Sequence, residues 1–401
     1  MSTQSVSIER KAQPMAPEAH VAPTQSSAGP RLLFIDNMRV MLTIQVVLFH
    51  LLIIYAGTGG WLYKEGREDF ATGALGAWLI TVSQAYFMGL FLLISAYFVP
   101  GSYDRKSAGR FLLDRMIRLG IPMAIYSWLF SPLLVVLVQR VTEGTSQPWW
   151  HYLPGLKYEA VIGSGPLWFV ETLLIFSVVY VGWRLVSSCP APSSVDTRFP
   201  GNGVIALFAL LLGIVSFLVR LWRPIGWNFS PLNLQFPFFA QYIALFVVGL
   251  IAYRRNWFLG LPETTGRLWL AIGIVMIFLF WPLVLGGGMD KGVEPFAGGW
   301  HWQAFAYALW ESFTCLGMCI GLIYLFRRNV NRQGKLAKFL SSNAYTAYII
   351  HGVVITIMAL AVRDVMVYPL LKWALVALVA VPLCFGLSHL IRKLPYPDRV
   401  L

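Results

Sequence analysis

Ten apolar stretches, most of them about 20 residues long, dominate this sequence. They lie near residues 32–56, 74–99, 119–139, 166–186, 203–222, 236–253, 268–287, 303–326, 343–362 and 368–391. A helix needs about 20 apolar residues to cross a bilayer. Only 12% of the residues are charged, whereas a soluble domain has about 25%. The sequence therefore predicts an all-α polytopic membrane protein, with about ten transmembrane helices in one bundle over residues 31–401.

The basic residues predict how the bundle is oriented. If the N-terminus lies in the cytoplasm, about two thirds of the 31 lysines and arginines fall on the cytoplasmic side. Cytoplasmic loops carry such an excess of positive charge, so both termini are expected in the cytoplasm, with the chain passing many times through the inner membrane. The net charge of +13 then reflects membrane orientation, and it requires no nucleic acid partner.

Residues 1–30 differ in composition from the rest of the chain. They are rich in proline, serine, alanine and glutamine and contain no apolar run. A secretory signal peptide needs a hydrophobic core of about 7–15 residues, so none is predicted here. The segment is interpreted as a disordered cytoplasmic tail.

Arg39 and His50 lie inside the first apolar stretch, where ionisable groups are energetically costly. Their spacing of eleven residues places both side chains on one face of a helix, about 16 Å apart along its axis. A cation near the entry side and an imidazole near the far side predict a site that reaches across the membrane. The alternative is that Arg39 extends to the headgroups and that His50 is a hydrogen-bonded core residue.

Other ionisable residues lie at similar predicted depths. Glu171 and Glu311 fall in the outer halves of their spans, and His351 lies nearer the middle of the ninth. A glutamate at such depth must be protonated, paired or in contact with water, so a shared polar cavity is one interpretation. We expect Glu171 to lie within hydrogen-bonding reach of His50 or of its cavity. The alternative for each of the three residues is a structural helix–helix hydrogen bond.

A cluster of arginines precedes the third stretch, at Arg110, Arg115 and Arg118. Arg115 and Arg118 are three residues apart and therefore share a helix face. Guanidinium groups bind phosphates through paired hydrogen bonds, although lipid headgroups are an equally suitable partner. The sequence has no glycine-rich phosphate loop, Gly-x-Ser-x-Gly elbow or metal-ligand spacing, so neither a metal nor a bound cofactor is predicted. If the chain is an enzyme, a membrane-embedded histidine is the natural general base.

Several short motifs, in order along residues 31–390, resemble those of the acyltransferase-3 family of integral membrane O-acyltransferases. They are Arg39-x10-His50, Leu93-Ile94-Ser95-Ala96-Tyr97-Phe98, Arg115-x-x-Arg118, Pro166-Leu167-Trp168-Phe169 and Tyr345-x-x-Tyr348-x-x-His351. Ala96 stands where the family usually has glycine. Two further stretches, Arg115–Pro122 and Ala252–Trp257, look similar to the branch that contains the periplasmic glucan succinyltransferases. The family also has ten helices.

The resemblance implies transfer of an acyl group from cytoplasmic acyl-CoA, as donor substrate, to a hydroxyl of an extracytoplasmic glycan or glycolipid. By this analogy Arg110, Arg115 and Arg118 bind the CoA phosphates, and Arg39 orients the thioester end. His50 serves as general base or as a nucleophile that carries the acyl group, and Glu171 supports it. The same analogy assigns substrate-binding positions to Asp36, Asn37, Ser95, Trp168 and His351.

Two other classes of function remain open at this point. Ten spans with polar intramembrane groups also suit a transporter or flippase of a glycan or lipid-linked intermediate. Such a protein often contains internal repeats of broken helices, and none is evident in the sequence. A membrane sensor or scaffold is a third class, but it would not require the Arg39 and His50 pair.

Overall fold

The computed structural model describes residues 31–65, 69–153, 164–187, 198–288 and 292–394. The predicted tail at residues 1–30 lies outside this set. Ten helices long and apolar enough to cross a membrane occur within it, which confirms the predicted all-α polytopic fold. They are α1 Leu33–Ala56, α2 Phe70–Asp104, α3 Ala108–Glu143, α4 Gly165–Val186, α5 Asn202–Trp222, α6 Phe236–Arg254, α7 Glu263–Gly286, α8 Trp302–Asn329, α9 Lys335–Ala361 and α10 Pro369–Arg392.

Several helices, α2 and α3 among them, extend beyond the apolar stretches that predicted them. Helix α2 begins at Phe70, where the Asp69 carboxylate caps the helix by accepting a hydrogen bond from the Thr72 amide at 2.9 Å. Helix α3 begins at Ala108, after Ser107, whose hydroxyl accepts from the Arg110 amide. The extension of α3 carries a capping serine and several charged side chains, whereas the first turn of α2 is capped by Asp69 but carries no charge itself. The arginine cluster of α3 is therefore part of the same helix as the third span.

Helix α3 is irregular in two places. Its π-helical turns Met116–Gly120 and Tyr126–Phe130 are each followed within two residues by a proline, Pro122 or Pro132. A proline has no amide hydrogen to donate, and its ring crowds the preceding turn. The regular series of helical backbone hydrogen bonds is therefore disturbed at these points. The turns rotate the side chains that follow, and α3 contributes residues to both of the cavities described below.

Helices α2 and α8 form the centre of the bundle: in each, 72% of the most apolar 18-residue segment is buried. Close packing around α8 depends on glycine. A Cβ atom added at Gly317 of α8 would lie 2.6 Å from the Cα of Gly273 in α7. The two backbones therefore touch, as is common where membrane helices associate through small residues. The outward faces of α5, α7 and α10 carry exposed leucine, valine and phenylalanine side chains, as a lipid-facing surface requires.

Candidate active site

A cavity of about 300 Å³, here called the basic cavity, opens near the start of α1. The end of α2 and the first halves of α3, α4 and α9 complete it. Its polar lining residues are Asp36, Arg39, Thr43, Ser95, Arg115, Arg118, Ser341, Tyr345 and Tyr348. Four of the predicted site positions from three separate motifs, Arg39, Ser95, Arg115 and Arg118, therefore meet in one place, and Asp36 joins them.

Arg39 faces the basic cavity while remaining partly covered by protein. Its Nη1 atom lies 3.6 Å from the Asp36 Oδ1 atom, one helical turn away. Its guanidinium carbon lies 4.7 Å from the ring centroid of Phe98, at the end of α2. The ion pair and the aromatic contact hold the guanidinium plane in a fixed direction, and about a third of the side chain remains exposed (36%).

Arg115 and Arg118 enter the cavity from α3. The Arg115 guanidinium carbon lies 5.0 Å from the Phe111 ring centroid, and the Arg118 carbonyl accepts a hydrogen bond of 2.5 Å from the Tyr345 hydroxyl of α9. This second contact ties α3 to α9 at the cavity mouth. Arg110 lies in the first turn of α3 and is not among the residues that line the cavity.

A larger cavity of about 740 Å³, here called the aromatic cavity, opens near the end of α1. The starts of α4, α6 and α8 contribute to it, as does the loop between α5 and α6. Its aromatic lining consists of Phe49, Trp61, Tyr126, Trp168, Phe238, Tyr242 and Tyr307, and its amide side chains are Gln84, Asn233 and Gln235. Among the described residues, no aspartate, glutamate, lysine or arginine lines this cavity. Apart from the tyrosines, His50 is the titratable residue among the described lining residues.

His50 contacts a second histidine in the bundle interior. Its Nδ1 atom lies 3.1 Å from His351 Nε2 and 3.0 Å from the Val46 carbonyl oxygen, one turn earlier in α1. The Nδ1 atom of His351 lies 2.5 Å from the Tyr348 carbonyl oxygen. A carbonyl only accepts hydrogen bonds, so His351 Nδ1 must donate, and its Nε2 atom is then an acceptor when the ring is neutral. His50 Nδ1 therefore carries a proton, and His50 Nε2 keeps a free lone pair.

Tyr348 links the walls of the two cavities. The Tyr348 ring lines the basic cavity, and its hydroxyl donates 2.6 Å to the carbonyl of Pro166, which lines the aromatic cavity. The same ring lies 5.5 Å from that of His351 and 5.9 Å from that of Phe169. Tyr348 thus touches the partner of His50 on one side and the arginine-lined space on the other.

Other predicted residues lie elsewhere. Asn37 is buried, and its amide donates to the carbonyls of Val330 and Arg332 and accepts from Gln333, so it fastens α1 to the loop between α8 and α9. Glu171 is buried in α4 and lines neither cavity. Its carboxylate interacts with the side chain of Ser164, just before α4. The hydrogen-bond partner of His50 is His351, where the sequence had suggested Glu171.

Glu311 pairs with Arg220 of α5 at 2.5 Å, and both side chains are fully buried. This contact gives Glu311 the structural role that was its alternative interpretation. Arg220 also lies 5.3 Å from the Phe238 ring and 5.5 Å from the Tyr307 ring, behind the wall of the aromatic cavity. Sequence reasoning missed Trp61 as a cavity residue. The glycines before it, Gly59 and Gly60, were the available signal, because they let a loop pass close to a helix end.

Comparison with known proteins identifies the family. The model of the acyltransferase-3 family, described as an acyltransferase domain, matches residues 32–389. The chain belongs to the acyltransferase-3 family. It is accordingly a multi-pass membrane acyltransferase. Both cavities and the two histidines lie within the matched range.

Curated relatives in this family include the "Glucans biosynthesis protein C" of Salmonella schwarzengrund (strain CVM19633), which is 27% identical to this chain. The protein of the same name from Salmonella heidelberg (strain SL476) is 26% identical. Both alignments extend over 244 residues, which is 57% of this chain and 60% of the relative. The chain thus spans less than two thirds of the length of these relatives. No solved structure matches the chain.

Proposed function

We propose that this acyltransferase takes its acyl group from cytoplasmic acyl-CoA and delivers it to a hydroxyl of an extracytoplasmic glycan. One observation carries the proposal: a cation-lined cavity and an aromatic cavity without lysine, arginine or carboxylate lie at opposite ends of α1. The His50–His351 pair lies beside Tyr348, which links the walls of the two cavities. Such an arrangement suits a charged donor that binds from one side and a neutral acceptor that binds from the other.

The basic cavity has the chemistry of a CoA site. Three guanidinium groups, from Arg39, Arg115 and Arg118, line a space that also contains the hydroxyls of Ser95 and Tyr345. Arginine binds phosphate oxygens through paired, charge-assisted hydrogen bonds. The excess of basic residues at this end supports a cytoplasmic position for the basic cavity, on the side where acyl-CoA is made. This orientation corresponds to a protein of the bacterial inner membrane.

In the proposed reaction His50 acts as general base through its Nε2 atom. The acceptor hydroxyl transfers its proton to Nε2 while its oxygen attacks the thioester carbonyl. The C–S bond breaks, the new ester C–O bond remains, and the CoA thiolate takes the proton from the imidazolium. As Nε2 becomes protonated, the Nδ1–H bond to His351 becomes charge-assisted, so His351 stabilises the state in which His50 is positive. The same free Nε2 atom also suits His50 as a nucleophile that carries the acyl group.

The acceptor side is aromatic and rich in amide groups. Aromatic rings and amide side chains together suit a polar but uncharged molecule that has apolar C–H faces, as a sugar has. The relatives are named for glucan biosynthesis, and we extend that acceptor class to this protein as part of the proposal.

The test is acyl transfer by the purified protein in lipid nanodiscs. Radiolabelled acetyl-CoA and succinyl-CoA serve as donors, with glucose oligosaccharides and the glycans extracted from host cells as acceptors. We expect label in the glycan fraction, and an about 10²- to 10⁴-fold lower rate for His50→Ala. His389→Ala is the matched control, because His389 of α10 packs against Phe339 of α9, and neither residue lines the basic or the aromatic cavity. Label that stays on CoA, or equal rates for His50→Ala and wild type at equal abundance, contradicts the proposal.

A further inference from the structure

The loop that joins α1 to α2 forms one wall of the aromatic cavity. Gly59, Gly60, Trp61 and Leu62 all line it. The Trp61 ring lies over His50, with 4.6 Å between the ring centroids and an angle of 35° between their planes. Its indole Nε1 atom donates 3.1 Å to the hydroxyl of Thr356 in α9. Trp61 is therefore held in a single orientation beside the base.

A buried ion pair fixes the far end of the same loop. Lys372 Nζ, in the first turn of α10, lies 2.7 Å from Glu65 Oε1 and 3.2 Å from the Arg363 carbonyl oxygen. Only 3% of the lysine side chain and 12% of the glutamate side chain are exposed. The Glu65 amide also donates 3.0 Å to the Ile54 carbonyl, which closes the loop onto α1. Loss of either charge would leave the other buried and unpaired.

We propose that Trp61 is the surface on which an uncharged pyranose ring of the acceptor stacks, and that the Glu65–Lys372 pair holds this surface in position. The inference rests on the proposed function only in that the acceptor is a glycan. The face of an aromatic ring carries negative partial charge and attracts the C–H side of a sugar ring. Because His50 lies against one face of the indole, the sugar would stack on the opposite face, and the neighbouring sugar unit of the glycan would present its hydroxyl to His50.

The lining of the cavity supports the choice of an uncharged sugar. The described lining residues include no lysine or arginine to pair with a carboxylate or phosphate, and their hydrogen-bonding side chains include the amides of Gln84, Asn233 and Gln235. Bringing an unpaired charged group into a cavity of this kind is costly. A neutral hexose satisfies the amides without such a cost, whereas a uronic acid does not.

Binding of oligosaccharides to the purified full-length protein in nanodiscs tests the inference. The probes are a glucose hexasaccharide and a glucuronic acid oligosaccharide of the same length, and the measurement is the dissociation constant by isothermal titration calorimetry. We expect the wild type to bind the neutral probe more tightly. Trp61→Leu should weaken that binding at least about tenfold, and Trp61→Phe, which keeps an aromatic face, should weaken it less. Glu65→Gln should also weaken binding of the neutral probe, because loss of the ion pair would displace the loop that carries Trp61.

Two variants at comparable positions serve as controls. Trp300→Leu removes a tryptophan that is 83% exposed and does not line the cavity. Asp364→Asn neutralises the exposed partner of Arg363. Both should bind like the wild type. The double variant Glu65→Lys with Lys372→Glu should recover binding relative to either single reversal, since it restores an ion pair.

The outcomes separate the two proposals. Absence of binding by the wild type, equal binding of the two probes, or unchanged binding by Trp61→Leu overturns the inference. If Trp61→Leu is not monodisperse on size-exclusion chromatography, unchanged binding by Glu65→Gln overturns it. Binding that depends on Trp61, without acyl transfer to any glycan, supports the inference and contradicts the proposed function.

Discussion

At the scale of single residues, the proton positions on His50 follow from two carbonyl groups. The Val46 carbonyl and, through His351, the Tyr348 carbonyl both require a donor, so His50 Nδ1 is protonated and Nε2 is free. The aspartate of a serine protease triad fixes its histidine in a related way. Here a neutral imidazole takes that position, which avoids an isolated negative charge in the bundle interior.

The first prediction concerns His351 as a positioning residue. His351→Leu should lower the acyl-transfer rate by about 10- to 100-fold, since it removes one charge-assisted hydrogen bond from protonated His50. His351→Gln should retain more activity, because its amide oxygen can accept from His50 Nδ1. The measurement is kcat with saturating donor in nanodiscs. Both variants should be faster than His50→Ala, which lacks the base itself. Equal activities of the Leu and Gln variants would mean that His351 only fills space.

The second prediction separates the arginines of α3. Arg115→Ala with Arg118→Ala should weaken CoA binding at least about tenfold, because each lost bond to phosphate is worth about 1.5–3 kcal/mol. Arg110→Ala is the comparison, since Arg110 is in the same helix but outside the cavity lining. Equilibrium binding of a fluorescent CoA analogue provides the measurement. Equal losses for the two proteins would indicate a general effect of positive charge at the membrane surface.

Residue-level expectations from the sequence succeeded where a motif was local. Arg39 and His50 are in one helix, so the 3.6-residue repeat was enough to place them on one face, and they now line the two cavities at its ends. The partner of His50 could not be predicted in this way. His351 is 301 positions away, and which helix lies against α1 depends on packing that no local pattern encodes. Similar predicted depth therefore suggested Glu171, although the structure pairs His50 with α9.

At the scale of elements, helix positions were predictable because about 20 apolar residues mark each span. Helix starts were less predictable, as α3 shows: its first turns mix charged and apolar side chains, so they fell outside the predicted apolar stretch. The π-helical turns of α3 were also missed. A proline indicates where the helical hydrogen bonds are interrupted, but it does not specify how the backbone adjusts, because that depends on the neighbouring helices.

The third prediction concerns the contact between α7 and α8. Gly317→Val should lower the thermal midpoint of the protein in detergent, because the side chain would overlap the Gly273 backbone, and overpacking of this kind costs about 1–3 kcal/mol. Gly182→Val in α4 is the matched control. It makes the same substitution in a helix but has no atom within 4 Å of the added Cβ. A similar midpoint for the two variants would contradict the account of close packing at Gly317.

At the scale of the whole molecule, the two cavities differ in charge, and so do the two ends of the bundle. The basic cavity lies where α1 begins, and the aromatic cavity lies where α1 ends. Composition predicted the excess of basic residues at one end. It could not predict that Arg39, Arg115 and Arg118 share one space with Tyr348, whose ring touches His351. The cavities arise from four or more helices meeting, which is a property of the assembled bundle.

The fourth prediction is the orientation of the bundle, on which the donor assignment depends. Positive charge is retained in the cytoplasm during insertion, so the loop before α9 should be cytoplasmic and the loop after α3 extracytoplasmic. Gly334→Cys and Thr145→Cys, at exposed positions in these loops, report the two sides. Each is made in a Cys189→Ala background; Cys315, Cys319 and Cys384 are buried.

The measurement is labelling by a membrane-impermeant maleimide, first in intact spheroplasts and then after detergent permeabilisation. Thr145→Cys should be labelled in both conditions, and Gly334→Cys only after permeabilisation. The Cys189→Ala protein without an added cysteine should remain unlabelled in both. The reverse pattern would place the three cavity arginines on the side that lacks acyl-CoA. The basic cavity would then need another anionic ligand, and His50 would face the cytoplasm. The expected pattern instead leaves the aromatic cavity open to extracytoplasmic sugars, with the basic cavity open to CoA and the His50–His351 pair between them.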